Sequence, residues 1–200
     1  MMKYATLQDA IDAKPCWLAE PDGMERLTQL FFGRDRLSAQ EIAELPITHE
    51  ERVWALTQPL FMSEVQTVRF ALFCATRVLT IYEYEYQNDN RIYKAMETVR
   101  SWTEHPNRDR ENYDAIYNSY SHAVTAYSIV GPIDSAQWWA ALAAVRTVRC
   151  IAIKRDLSFS ACDAAYAAVQ CMKILYGERA AEEEQRTQID YLLKVILEEK

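Results

Sequence analysis

Turn formers are scarce in this chain, with only 4 glycines and 6 prolines in 200 residues. A fold of many short strands needs frequent tight turns, so the shortage disfavours one and leaves room for long helices. Histidine is rarer still: of His49, His105 and His122, none lies in HExxH and no two sit four apart on one helix. The strongest signatures of a protein-ligated zinc site are therefore missing, and no metal ligands are nominated. No Walker loop, dinucleotide glycine pattern or serine-hydrolase elbow occurs, so no cofactor is expected. Apolar runs are broken by arginine or acid before they reach the length of a membrane span, which disfavours a membrane partner. Cys16, Cys74, Cys150, Cys162 and Cys171 are an odd set without a close CxxC pair, and no N-terminal apolar segment resembles a signal peptide. A reducing cytoplasm is the expected setting, with these cysteines acting mostly as small buried hydrophobes.

What is present is core material. The chain is 50% hydrophobic and 12% aromatic, too rich in core formers for a disordered polymer. Alanine-rich runs such as AQWWAALAAVR and FSACDAAYAAVQ favour helix. The expectation is an all-α fold: one compact multi-helix domain over residues 1–200, with about eight helices in antiparallel hairpins. Short helices should make an irregular subregion over 1–62, and longer ones a core over 63–200. Degenerate helical repeats remain open, because the hairpins resemble one another without a fixed period.

Local signals place the boundaries. Thr6 with Asp9, Ser38 with Glu41 and Thr48 with Glu51 have the spacing of an N-cap followed by an acid, which satisfies first-turn amides. Pro59 cannot donate an amide and clashes with the preceding turn, so the helix opened by Thr48 should end or kink near Gln58. The segment ALFCATRVLTIYEYEYQNDNRIYKAMETVRSW, residues 71–102, then joins two apolar stripes through the polar link QNDN. Val68, Leu72, Ala75, Leu79, Tyr82 and Tyr86 form the first stripe; Ile92, Ala95, Met96, Val99 and Trp102 form the second. Their spacing predicts two antiparallel helices packed along a common seam. Tyr113, Ile116, Tyr117, Tyr120, Ala123, Val124 and Tyr127 predict a further helix ending before Gly131 and Pro132. Asp134 or Ser135 can cap the next. Ser160 with Asp163 reads as the start of a helix running to Gly177, and AAEEEQR as part of a charged helical surface.

No catalytic residues are nominated. Glu83 and Glu85 are two apart, so on a helix they point in different directions and do not make a facing carboxylate pair. Arg77, Glu83, Asp89 and Arg91 are instead expected to fix the hairpin link through charge-assisted hydrogen bonds. His122, close to Tyr113, Tyr117 and Tyr120, is expected to bond a tyrosine. Arg146, Arg149, Lys154 and Arg155 form a basic cluster, but interleaved valines and isoleucines favour salt bridges over phosphate binding. A net charge of −7 disfavours direct contact with nucleic acid or anionic lipid and would steer in a basic protein. Tryptophan (5) and tyrosine (12) are more suggestive, because rigid anchors with polar edges suit a protein-binding surface. Trp17, Trp54 and Trp139 are the least constrained by periodicity and are the binding candidates.

Residues 71–102 resemble the central signature of the Imm5-like putative immunity proteins. In that family an alanine- and cysteine-containing helix ends in a VLxxYE-like element, followed by an acidic and polar link, an arginine, and a helix ending near tryptophan. Cys74, Ala75, Arg77, Val78, Leu79, Glu83, Asp89, Asn90, Arg91, Ala95 and Trp102 stand at those places. The family's upstream tryptophan segment corresponds to Trp54, and its downstream alanine-rich helices to residues 113–176. Few histidines and several bulky downstream aromatics depart from the family pattern. The resemblance implies a small helical protein of bacterial toxin immunity or of mobile elements, which binds a protein partner and has no known catalytic set. A toxin, an effector or a host-defence component would be that partner. Other readings stay open: a phage-borne antagonist of a host-defence or nucleic-acid-binding protein, working by acidic surface mimicry; a homodimer; and a small-molecule enzyme with a pocket at His122 or at Glu83 and Asp89.

Overall fold

The structure is a computed structural model and describes residues 3–106, 110–153 and 157–198, apart from the side chains of 110–113. Tyr113's side chain, Lys154 and Arg155 fall outside the described residues. In chain order the elements are β1 (Tyr4–Thr6), α1 (Leu7–Ala13), a short 3-10 helix (Cys16–Ala19), α2 (Gly23–Phe31), β2 (Arg36–Ser38), α3 (Ala39–Ala43) and α4 (His49–Leu56). The long elements follow: α5 (Glu64–Glu85), α6 (Arg91–Glu104), α7 (Arg110–Ser128), α8 (Ala136–Ala152), α9 (Leu157–Tyr176) and α10 (Glu178–Glu198).

Capping chemistry explains many of these starts. Thr6, Ser38 and Thr48 each accept the amide three residues on, while Asp9, Glu41 and Glu51 reach back to the cap amide. Ser63 with Gln66 makes a fourth such box at α5, and Ser135 caps α8. The Thr48 helix ends at Leu56, ahead of Pro59, as the missing proline amide requires. Ser160 differs from expectation: α9 begins at Leu157, which leaves Ser160 buried within the helix. The described residues contain ten α-helices where about eight were expected from periodicity. One of the added elements, α2, follows Asp22, which makes no side-chain cap bond, so it carries no such signal. The β1–β2 ribbon was also unannounced, because three-residue strands are too short for alternation to register. It pairs Tyr4 with Ser38 and Thr6 with Arg36, and each strand runs directly into a capped helix.

The centre of the fold is α5, α8 and α9, each packed on the other two; α6 and α7 join through α8, and α4 and α10 through α9. Ala140, Ala141, Ala143 and Ala144 of α8, with Ala161, Ala164, Ala167 and Ala168 of α9, are completely enclosed. Small side chains let these backbones approach, and α5, which packs on both helices, buries the bulkier Phe70, Val78 and Tyr82 completely. Thr147 Oγ1 donates to the Ala71 carbonyl at 3.0 Å, tying α8 to α5. The seam expected between α5 and α6 is therefore minor: α5 gives most of its apolar face to α8 and α9, and α6 packs on α7 and α8. Fully burying each large apolar side chain contributes about 1.5–3 kcal/mol before ordering entropy is subtracted. Contacts of α5 with α9 and α10 also depart from a stack in which each unit meets only its neighbours.

One predicted face is only partly right. On α7, Ile116 and Ala123 are buried, whereas Tyr117 and Val124 are exposed. Among the described residues no helix is long and apolar enough to cross a membrane. The whole is a predominantly α-helical, single compact domain.

Candidate functional site

The four residues expected to fix the link after α5 divide between two places. Asp89 receives both guanidinium edges of Arg91, Nε at 2.8 Å and Nη2 at 2.6 Å, together with the Arg91 amide at 3.1 Å and the Tyr82 hydroxyl at 3.0 Å. Those Arg91 bonds hold the Asp89 carboxyl down at about 2, against the pull of partial burial. Burial, and then the donation to Asp89, push the Tyr82 hydroxyl well up. The half-buried Glu83 makes no side-chain hydrogen bond or ion pair among the described residues.

Arg77 turns the other way, and its Nε donates to Glu184 Oε2 on α10 at 2.7 Å. Glu184 is 1% exposed, so the AAEEEQR run is not wholly surface; its third acid belongs to the interior. Gln188 Nε2 donates to Glu184 Oε1 at 3.0 Å and to the Ala165 carbonyl at 3.2 Å. Gln188 Oε1 lies 2.8 Å from His49 Nε2, and since an amide oxygen only accepts, His49 donates through Nε2. Burial lowers the His49 pKa and keeps the ring neutral, the Gln188 contact opposing this in part. A polar chain thus runs from α4 through α10 to α5, and it went unnoticed in the sequence. Its signal was present: Ala181, Glu184, Gln188, Leu192 and Ile196 share one helical face, so two polar groups interrupt an apolar stripe.

The thiols near this polar chain are not activated, since burial and the Glu184 charge both raise Cys74 and Cys171. The thiols of Cys162 and Cys171 are pushed up to about 12 by burial, and those of Cys74 and Cys150 are raised as well, so they stay protonated near neutral pH. His122 is exposed on α7 and bonds no tyrosine among the described residues, unlike the expectation for it. Arg146 pairs with Asp163 at 3.2 Å, linking α8 to α9. No group of three or more metal-ligating side chains occurs among the described residues.

The three candidate tryptophans also divide. Trp139, on α8, meets Trp138 edge-on at 4.8 Å and Tyr166 edge-on at 5.7 Å, while Tyr127 lies 5.2 Å from Trp138. These four partly exposed rings form a ladder across α7, α8 and α9. Trp17 and Trp54 instead share a cavity of about 280 Å³ among the short N-terminal elements. Arg26 lies 4.5 Å over the Trp17 ring and binds both oxygens of Glu51, at 2.7 and 2.9 Å. Gly23 makes this corner possible, because a Cβ there would stand 2.5 Å from the Trp17 carbonyl oxygen and 2.6 Å from that of Leu18.

Residues 61–116 match the family model described as Imm-5 like putative immunity protein. The matched segment runs from the turn before α5 into α7, so it contains Arg77, Glu83, Asp89 and Arg91 but neither Trp17, Trp54 nor Trp139. Comparison with curated proteins and with solved structures gave no match.

Proposed function

We propose that this chain is a non-enzymatic, immunity-like binding protein of the cytoplasm that occludes a toxin, an effector or a host protein. Similarity of residues 61–116 to an immunity-protein family supports action by binding. The aromatic ladder of Tyr127, Trp138, Trp139 and Tyr166 is the observation that carries the reading to a surface. Tyrosine and tryptophan offer large contact areas with few rotors to freeze, and their hydroxyl and indole N–H edges can still bond a partner. Edge-to-face packing preorganises the rings. The Arg146–Asp163 ion pair bridges the same two helices, α8 and α9, and would lie at the polar rim.

Affinity capture from the native source, with wild type and a Trp139→Ala variant of unchanged helix content, tests this. The expected result is one stoichiometric protein held by wild type, with affinity reduced about thirtyfold in the variant, the size of a hot-spot loss. Equal capture by both forms would remove the ladder from the interface.

A further inference from the structure

We infer that the cavity between Trp17 and Trp54 is a binding site for a compact apolar molecule with a cationic head, of the arylalkyl or alkyl amine class. Protein interiors are normally packed without voids of this size, and about 150 Å³ of apolar cavity is enough for benzene. At about 280 Å³ the cavity has room for a bicyclic ring with a short chain. Leu27, Phe31, Leu37, Ile42 and Phe61 line its inner wall, none more than 5% exposed. Asp12, Pro59 and Leu60 also line it and are exposed, so the cavity reaches solvent on that side.

Charge selects the head group. Among the described residues, the charged ones lining the cavity are all acids: Asp9, Asp12 and Glu51. Glu51 is taken by Arg26, and Asp9 stays ionised because the Thr6 hydroxyl and amide lower its pKa. Asp12 accepts only the neutral Gln8 amide at 2.9 Å and has no cationic partner among the described residues, so it is free to receive an ammonium. The Trp54 indole supplies an aromatic surface that attracts both rings and cations, while the Trp17 ring already carries Arg26 on one face. One wall is α1, which buries none of its residues completely and ends at Lys14 in a left-handed conformation, φ 52°. A wall so lightly held can move to admit a ligand. This site is independent of the aromatic ladder and of the proposed immunity role.

The test titrates the full chain with tryptamine, 2-phenylethylamine and n-hexylamine by calorimetry and tryptophan fluorescence, with indole and indole-3-acetate as neutral and anionic controls. At least one amine should bind, and tryptamine should bind about tenfold more tightly than indole or indole-3-acetate. Asp12→Asn should bring tryptamine down to the affinity of indole. Ala55→Phe and Ala10→Phe, each adding a ring to the cavity lining, should abolish binding while circular dichroism and the unfolding midpoint show a folded chain. Failure of all three amines to bind at millimolar concentration would overturn the inference. So would unchanged binding in both filled variants, or indole-3-acetate binding as tightly as tryptamine.

Discussion

Replacing Arg77 with methionine should destabilise the fold through Glu184, a residue more than a hundred positions away. The Glu184 side chain is fully enclosed and, among the described residues, bonds only Arg77 and Gln188, at 2.7 and 3.0 Å. Methionine keeps an apolar stem near Phe73, over whose ring the Arg77 guanidinium now lies at 5.5 Å, but it removes the cation. Breaking a buried pair from one side costs about 3–5 kcal/mol, because the remaining charge keeps its desolvation penalty. The Arg77 side chain is 37% exposed, so water can partly replace it, and about 3 kcal/mol is the expected loss. For a chain of this size that lowers Tm by about 6–12 °C. Adding Glu184→Met should recover much of the loss, since two apolar groups of similar volume leave no buried charge. Urea unfolding followed by fluorescence and circular dichroism measures Arg77→Met, Glu184→Met and the double variant. An Arg77→Met loss below about 0.5 kcal/mol, within the range of an ordinary surface change, would refute the reasoning. A double variant as unstable as the sum of the singles would do the same.

Three further outcomes are expected. Asp89 is held at about 2 in the fold against an ordinary 3.8, so its stabilisation is complete above about pH 4 and is lost as pH falls towards 2. Asp89→Asn should cost about 1–2 kcal/mol at pH 7, discounted for the partly exposed Arg91, and should flatten urea stability across that acid window. The lowered pKa of His49 means that only the unfolded chain takes up its proton just below pH 6.5. Wild-type urea midpoints should therefore fall between pH 7.5 and 5 more steeply than those of His49→Gln; parallel curves would show that the ring is not held neutral. Gly23→Ala should cost about 1–3 kcal/mol, because the Trp17 and Leu18 carbonyls must give way. It should also shift tryptophan emission, and an unchanged spectrum and midpoint would argue against the close approach.

Much of this was legible because it is local. A cap and its acid lie three residues apart, so Thr6, Ser38 and Thr48 marked helix starts without any tertiary knowledge. The Asp89–Arg91 pair spans two residues and was equally within reach. Partners distant in sequence were not: Arg77 looked like part of the adjacent link, and nothing near it names Glu184 as its acid. Periodicity identified the apolar faces of α5 and α6 but could not say that α5 would prefer the alanine surfaces of α8 and α9. Nor could it tell that Trp17 and Trp54 would share a cavity while Trp139 joined a ladder on α8, since that depends on how short N-terminal elements fold against one another.

Hydrogen exchange on the chain with and without its captured protein partner tests the binding claim most directly. The account predicts new protection in the segments bearing Tyr127, Trp138, Trp139 and Tyr166, with little change on α10. Protection confined to other faces, or none at all at saturating partner, would contradict it.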